Sequence, residues 1–149
     1  MSDLFRLFVS FCAGRYVTNN PASLAYRDVF VLTTDDNLHD DVIDDAGNVT
    51  PASHFVRALR DKQVPVCVLE DRDRAGSLAD WERRVADVAV AQTDRVTVAH
   101  WKSVLGLERR VVVWLAERGR DDDAFKLHGF SRCTTQLIIV APRSDDRHT

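Results

Sequence analysis

The chain has 149 residues, of which 45% are hydrophobic and 29% charged, and its formal net charge is −3. This length favours a single domain over residues 1–149, and the acidic balance argues against a protein that coats nucleic acid by charge alone. The three cysteines form no close pair, so neither a zinc site nor a disulfide framework is predicted, and an intracellular location, cytoplasm or nucleus, is expected.

The first 20 residues are predicted to form an N-terminal helix and a loop. Leu4, Leu7, Phe8 and Phe11 recur at helical spacing, which predicts an amphipathic helix from about residue 3 to residue 12. This apolar stretch is too short to span a bilayer, so no membrane partner is expected.

A near-continuous apolar run over residues 28–34 predicts the first strand, covered on both faces. A polar and acidic loop follows. Thr50 as a cap and Pro51 as the first helical residue then predict a helix that reaches about Lys62. Residues 64–70, with the sequence VPVCVLE, predict the second strand.

The second half of the chain continues the alternation of helices and strands. Ser77 is predicted to cap a helix with the sequence SLADWERRVADV, and residues 86–92 and 95–101 are interpreted as short β-rich pieces. A helical turn broken at Gly106, a buried strand over 110–117, a helix over 122–136, a strand over 136–142 and a frayed tail over 143–149 complete the prediction. The alternation predicts an α/β fold, a three-layer sandwich with a mainly parallel sheet and right-handed crossovers.

Two stretches carry a resemblance to a known family. The first is VTVAHWKSVLGLERRVVVWL, and the second, after a predicted helix, is SRCTTQLIIV. In this order and at this spacing they resemble motifs V and VI of superfamily 1 helicases of the UvrD/Rep kind. The resemblance covers about residues 28–142 and implies the second RecA-like domain of those helicases, called 2A, with the RecA-like sheet of the P-loop NTPase superfamily.

The resemblance implies a role for eight residues. Arg132 would reach the γ-phosphate as an arginine finger and is the predicted catalytic residue. Glu108 would contact the nucleotide ribose, and Gly106 would let the backbone turn near the nucleotide. The predicted nucleic-acid contacts are Thr97, His100, Trp101, Lys102 and Ser103. Packing of Trp101 against the sheet is the alternative to base stacking.

The sequence departs from the family at three places. It contains no GxxxxGK[ST] motif, Leu105 stands where a basic residue usually precedes Gly-Leu-Glu, and Thr34 or its neighbours replace an arginine after the first strand. The isolated chain is therefore predicted not to hydrolyse ATP and to use no cofactor alone. ATP and Mg²⁺ are expected only if a Walker A domain completes the site.

The helicase interpretation predicts either a fragment of a larger protein or a derivative without the motor. Its expected partners are nucleic acid, DNA or RNA, and the first RecA-like domain or another protein. One alternative is a small protein–protein interaction module with no ligand chemistry.

A second alternative is a Mg²⁺-dependent nuclease built on the acidic loop after the first strand, for which a solvated surface loop is the simpler interpretation. Partner carboxylates for it would come from Glu70 and Asp87. The histidines form no close pair, so no metal site is predicted from them. The acidic residues of the loop are Asp35, Asp36, Asp40, Asp41, Asp44 and Asp45.

Overall fold

A computed structural model describes residues 24–74, 77–115 and 123–140 of the chain. The helices and strands are, in chain order, β1 (Val29–Thr33), β2 (Val42–Ile43), β3 (Val49–Thr50), α1 (His54–Asp61), β4 (Val66–Leu69), α2 (Leu78–Val90), β5 (Val96–His100), β6 (Arg109–Leu115), α3 (Asp123–Phe130) and β7 (Cys133–Val140). Five parallel strands form the central sheet in the order β4–β5–β1–β6–β7, and β2 and β3 form a separate antiparallel hairpin.

The central strand confirms the prediction of a strand covered on both faces. All five residues of β1 are buried, and the strand pairs with β5 on one side and β6 on the other. Because successive side chains of a strand point to opposite faces, Val29 and Val31 enter one core cluster while Phe30 and Leu32 enter the other. The α/β three-layer sandwich with a parallel sheet is thereby confirmed.

The helices divide between the two faces of the sheet. Val56 and Leu59 of α1 belong to the first cluster, and Val88 of α2 and, in part, Phe130 of α3 belong to the second. The crossover from β1 to β4 runs in one direction along the sheet, and the later crossovers run in the other. If all these crossovers have the same handedness, α1 must lie on one face of the sheet and α2 and α3 on the other face, and this arrangement is observed.

Close approach of a helix to the sheet depends on Gly129 in α3. A Cβ atom on Gly129 would lie 2.1 Å from Cζ3 of Trp114, which is fully buried in β6. Glycine therefore allows the helix backbone to rest directly on the indole ring.

Three sequence predictions of helix and strand boundaries were wrong. The helix predicted from Thr50 begins at His54, because Thr50 pairs with Val42 in the β2–β3 hairpin, which the sequence prediction treated as loop. Residues 86–90 continue α2 to Val90 instead of forming a β-rich piece. The helix predicted through residue 136 ends at Phe130, and its last residues belong to β7.

The other elements are found close to where they were predicted. Ser77 caps α2 by accepting a hydrogen bond from the N–H of Asp80. β4 and β5 lie within their predicted segments, and β6 begins at Arg109, one residue before its predicted segment. The predicted N-terminal helix and the predicted tail lie outside the described residues. Among the helices described here, none is both long and apolar enough to cross a membrane.

Candidate functional site

The carboxyl ends of β1, β4 and β5 bring together side chains that are far apart in sequence. β1 leads to a helix on one face of the sheet, whereas β4 leads to a helix on the other, so the loops diverge at this edge. In open α/β sheets such a switch point is the usual place for a ligand. Ligand atoms of Asp36, Asp71 and His100 all lie within 4.8 Å of one another here.

His100 is the buried member of this group, with 1% of its surface exposed. Its Nε2 lies 3.1 Å from Oδ1 of Asp36, and its Nδ1 accepts a hydrogen bond of 3.4 Å from the backbone N–H of Lys102. Since Nδ1 accepts, the proton of a neutral ring is on Nε2 and is donated to Asp36. The last residue of β5 thus links the β1 loop to the short helix that follows β5.

That short helix, a 3₁₀ turn over Trp101–Val104, presents an aromatic and basic surface. The half-buried Trp101 ring stacks on the His128 ring of α3 with centroids 5.7 Å apart and 22° between planes. The Lys102 ammonium lies 5.8 Å from the centroid of the same indole ring, and His128 and Lys102 are both exposed. An aromatic stack beside a cation can receive an unpaired base and its phosphate.

The remaining predicted nucleic-acid contacts are buried. Ser103 donates a 2.7 Å hydrogen bond from Oγ to the carbonyl oxygen of Glu70, which joins the β5 loop to the end of β4. Thr97 lies in β5, opposite Cys67 of β4. Of the five predicted residues, Trp101 and Lys102 therefore supply the surface that a nucleic acid could reach.

The predicted nucleotide contacts lie together at the other edge of the sheet. Glu108 is exposed and directly precedes β6, and Arg132 directly precedes β7. The N–H of Arg109 donates a 2.9 Å hydrogen bond to the carbonyl oxygen of Arg132, which holds the two strand starts side by side. The Arg132 guanidinium donates to Oγ of Ser131 at 2.9 Å and 3.3 Å.

Gly106 makes the turn that leads into β6. Its φ of +84° is in the left-handed region, which glycine adopts without the steric cost of a Cβ atom. The chain between β5 and β6 consequently crosses from one edge of the sheet to the other. Trp101 and Lys102 are separated from Glu108 and Arg132 by roughly one strand length, about 20 Å for the seven residues of β6, whereas Thr97 lies near the amino end of β5.

A cavity of about 440 Å³ opens at the amino edge of the sheet, where the strands begin, near the end of α2. Three arginines, Arg27, Arg95 and Arg109, line it together with Cys67 and Thr97. Burial raises the pKa of the Cys67 thiol, so the thiol form dominates at neutral pH. The Arg109 guanidinium lies 4.5 Å from the centroid of the Phe30 ring and donates to the carbonyl oxygen of Val88.

Most acids of the loop after β1 have local structural roles. Asp44 closes the β2–β3 hairpin by accepting hydrogen bonds from backbone N–H groups of residues 46 and 48 at 3.0 Å and 2.8 Å. Asp41 accepts from the N–H of Ala52 at 2.7 Å, and Asp40 pairs with Arg60 at 2.6 Å. Of the six, Asp36 is the one that joins the cluster with Asp71 and His100.

The other acids predicted for a nuclease do not join this cluster. Oε1 of Glu70 accepts from the N–H of Asp40 at 3.4 Å, and Asp87 lines the cavity at the opposite edge.

Asp71 was missed as a site residue, and His128 was not assigned to any predicted site. Asp71 follows β4 as Asp36 follows β1, so a comparison of the residues just after each predicted strand could have paired them. His128 gives no such signal, because its contact with Trp101 depends on how α3 packs.

No protein-family model matches the chain, and a search of curated proteins gives no significant match. A relation to helicases is thus an expectation from the motif resemblance alone.

Proposed function

We propose that the chain is a helicase C-terminal-like domain that contacts single-stranded nucleic acid and lacks ATPase activity alone. The observation that carries the proposal is the stack of Trp101 and His128 beside Lys102 at the carboxyl end of β5. A base can extend the stack on the exposed His128 ring while Lys102 neutralises a phosphate. The site would function inside the cell, where nucleic acid is available.

The nucleotide role belongs to the opposite edge in this proposal. Glu108 and Arg132 directly precede two adjacent strands, β6 and β7. They would face ATP held by a first RecA-like domain supplied by another polypeptide or another part of the protein. ATP and Mg²⁺ would be bound mainly by that Walker A domain, since the printed sequence has no phosphate-cradling loop.

The nucleic-acid proposal is tested by fluorescence anisotropy with labelled single-stranded DNA and RNA. Lys102→Ala should weaken binding several-fold and reduce the salt slope by about one. His128→Ala should weaken binding about fivefold or more, because base stacking contributes about 1–3 kcal/mol. Lys62→Ala and His54→Ala, exposed residues at or beside α1 on the other face, are the matched controls.

Two results would contradict the nucleic-acid proposal. One is the absence of binding at about 50 mM salt, where phosphate contacts are strong. The other is an equal loss of affinity in the Lys102 and Lys62 variants, which would show that the effect comes from general charge.

The nucleotide role is tested with a first RecA-like domain added in trans or present in a longer protein. The chain alone should not turn over ATP. In the complete ATPase, Arg132→Ala should reduce kcat far more than it weakens ATP binding. Equal losses in both quantities would argue against a finger role, and rapid turnover by the chain alone would refute the proposal.

A second candidate function, a protein–protein interaction module, is favoured by the β2–β3 hairpin. Val42, Ile43 and Val49 are 48%, 69% and 60% exposed, so this hairpin displays aliphatic side chains to solvent. A module of this kind predicts no nucleic-acid binding at any salt concentration, which the same anisotropy experiment measures.

A further inference from the structure

We infer that Asp36, Asp71 and His100 form a binding site for one divalent transition-metal cation, of which Mn²⁺ is the representative. The three side chains follow or end β1, β4 and β5, and one ligand atom from each lies within 4.8 Å of the others. The inference does not depend on the proposed nucleic-acid function.

The spacing of the ligand atoms is close to that of a metal site. A cation about 2.1 Å from each of its ligands keeps neighbouring ligand atoms about 3–3.5 Å apart. Nε2 of His100 and Oδ1 of Asp36 are already 3.1 Å apart. Asp36 is exposed and Asp71 half-buried, so small side-chain rotations can bring both carboxylates to the imidazole.

The charges of the cluster favour a cation. Two carboxylates approach each other here, and among residues 24–74, 77–115 and 123–140 no hydrogen bond or ion pair engages the Asp71 side chain. A bound divalent cation would neutralise both carboxylates.

The buried imidazole is the second observation that points to a ligand. His100 is 1% exposed, and its Nε2 lies 3.1 Å from Oδ1 of Asp36, in the group of ligand atoms that also includes Asp71. Ligation through Nε2 moves the ring proton to Nδ1 and breaks the bond from Lys102, but that bond is at the long limit, 3.4 Å. Two oxygens and one nitrogen suit Mn²⁺ and similar ions better than Mg²⁺, which prefers oxygen alone.

The experiment is a Mn²⁺ titration of the full chain, without nucleic acid, followed by electron paramagnetic resonance of the free ion. We expect one site per chain and at least a tenfold loss of affinity in Asp36→Asn and in Asp71→Asn. Asp45→Asn removes an exposed carboxylate of the same acidic loop and should leave the affinity within twofold of the wild type. Circular dichroism checks that each variant is folded.

The ligand set is tested in the unaltered protein, which avoids substitution of the buried histidine. Electron spin echo spectra of the bound Mn²⁺ should show coupling to an imidazole ¹⁴N nucleus. Three results would overturn the inference: no Mn²⁺ bound at one equivalent, an equal loss in the Asp45 variant, or bound Mn²⁺ without nitrogen coupling. The Mn²⁺ titration contains no nucleic acid, so its result does not depend on nucleic-acid binding. Either proposal can therefore be refuted without the other.

Discussion

Substitution of Gly129 by alanine tests the packing of α3 on the sheet. The added Cβ would lie 2.1 Å from Cζ3 and 2.4 Å from Cε3 of Trp114. This indole ring is fully buried and also meets the Phe130 ring edge-on at 5.7 Å, so it has little room to move away. The helix must therefore shift outward by more than 1 Å, since carbon atoms in contact are about 3.5–4.0 Å apart.

Two opposing effects set the expected loss of stability. Alanine is a better helix former than glycine by about 1 kcal/mol, which stabilises the variant. Overpacking of a buried site costs about 1–3 kcal/mol, and contact with a rigid ring places this site at the upper end. The net expectation is that Gly129→Ala lowers the free energy of unfolding by about 1–2 kcal/mol.

Urea denaturation followed by tryptophan fluorescence measures this change. A double-mutant cycle with Trp114→Phe isolates the clash, because phenylalanine lacks the part of the indole ring that the new methyl group meets. Gly129→Ala should cost less in the Trp114→Phe background, by about 1 kcal/mol or more. Equal costs in both backgrounds, or an alanine variant as stable as the wild type, would refute this reasoning.

Two further predictions concern side chains at either end of the sheet. Arg109→Met removes the guanidinium that donates to the carbonyl of Val88 and should lower unfolding stability by about 1–2 kcal/mol, whereas the exposed Arg83→Met should have little effect. Burial acts to raise the pKa of Asp40, but the hydrogen bond and charge of Arg60 and the adjacent backbone N–H outweigh it and hold that pKa below its ordinary value. Arg60→Gln should therefore lower the free energy of unfolding by roughly 0.5 kcal/mol above about pH 4. The difference from the wild type should vanish at lower pH, because the Asp40 carboxyl is then protonated. Urea denaturation at a series of pH values measures both effects.

The strands were predictable because their sequences satisfy one strong requirement. A parallel strand in the middle of a sheet is covered on both faces, so residues 29–32 and 111–114 must all be apolar, and they are. Ser77 was likewise a sufficient signal for the start of α2, because its hydroxyl accepts from a backbone N–H of the first turn.

The wrong boundaries come from local signals that tertiary contacts overrule. Val88 and Val90 favour a strand by propensity, yet both belong to α2. Val88 is buried in the core cluster between this helix and the sheet, and the helix ends at Val90, followed by Ala91 in the left-handed region. Pro51 follows β3 instead of opening a helix. The Ser53 hydroxyl accepts from the N–H of His39, so it holds the loop and does not cap α1.

The carboxyl-edge cluster could not be derived from sequence spacing. Asp36, Asp71 and His100 are separated by 35 and 29 positions, and no local motif connects them. Their proximity follows from the strand order, in which β1 is flanked by β5 and β4 lies beyond β5. Periodicity predicts that strands exist but does not determine which strands are neighbours.

The proposed nucleic-acid contacts and the proposed nucleotide contacts lie too far apart to share one ligand. Trp101 and Lys102 lie at one end of the sheet, and Glu108 and Arg132 lie at the other, so a single small ligand cannot contact both pairs. The proposed nucleic-acid binding would then need no bound nucleotide, and the segment of eight residues that joins β5 to β6 runs from one edge to the other. That segment begins next to His100 and ends at Glu108, with Gly106 as its turn. Any coupling between the two proposed sites would therefore have a short, continuous stretch of chain to act through, and the first side chains of that stretch also adjoin the inferred cation site.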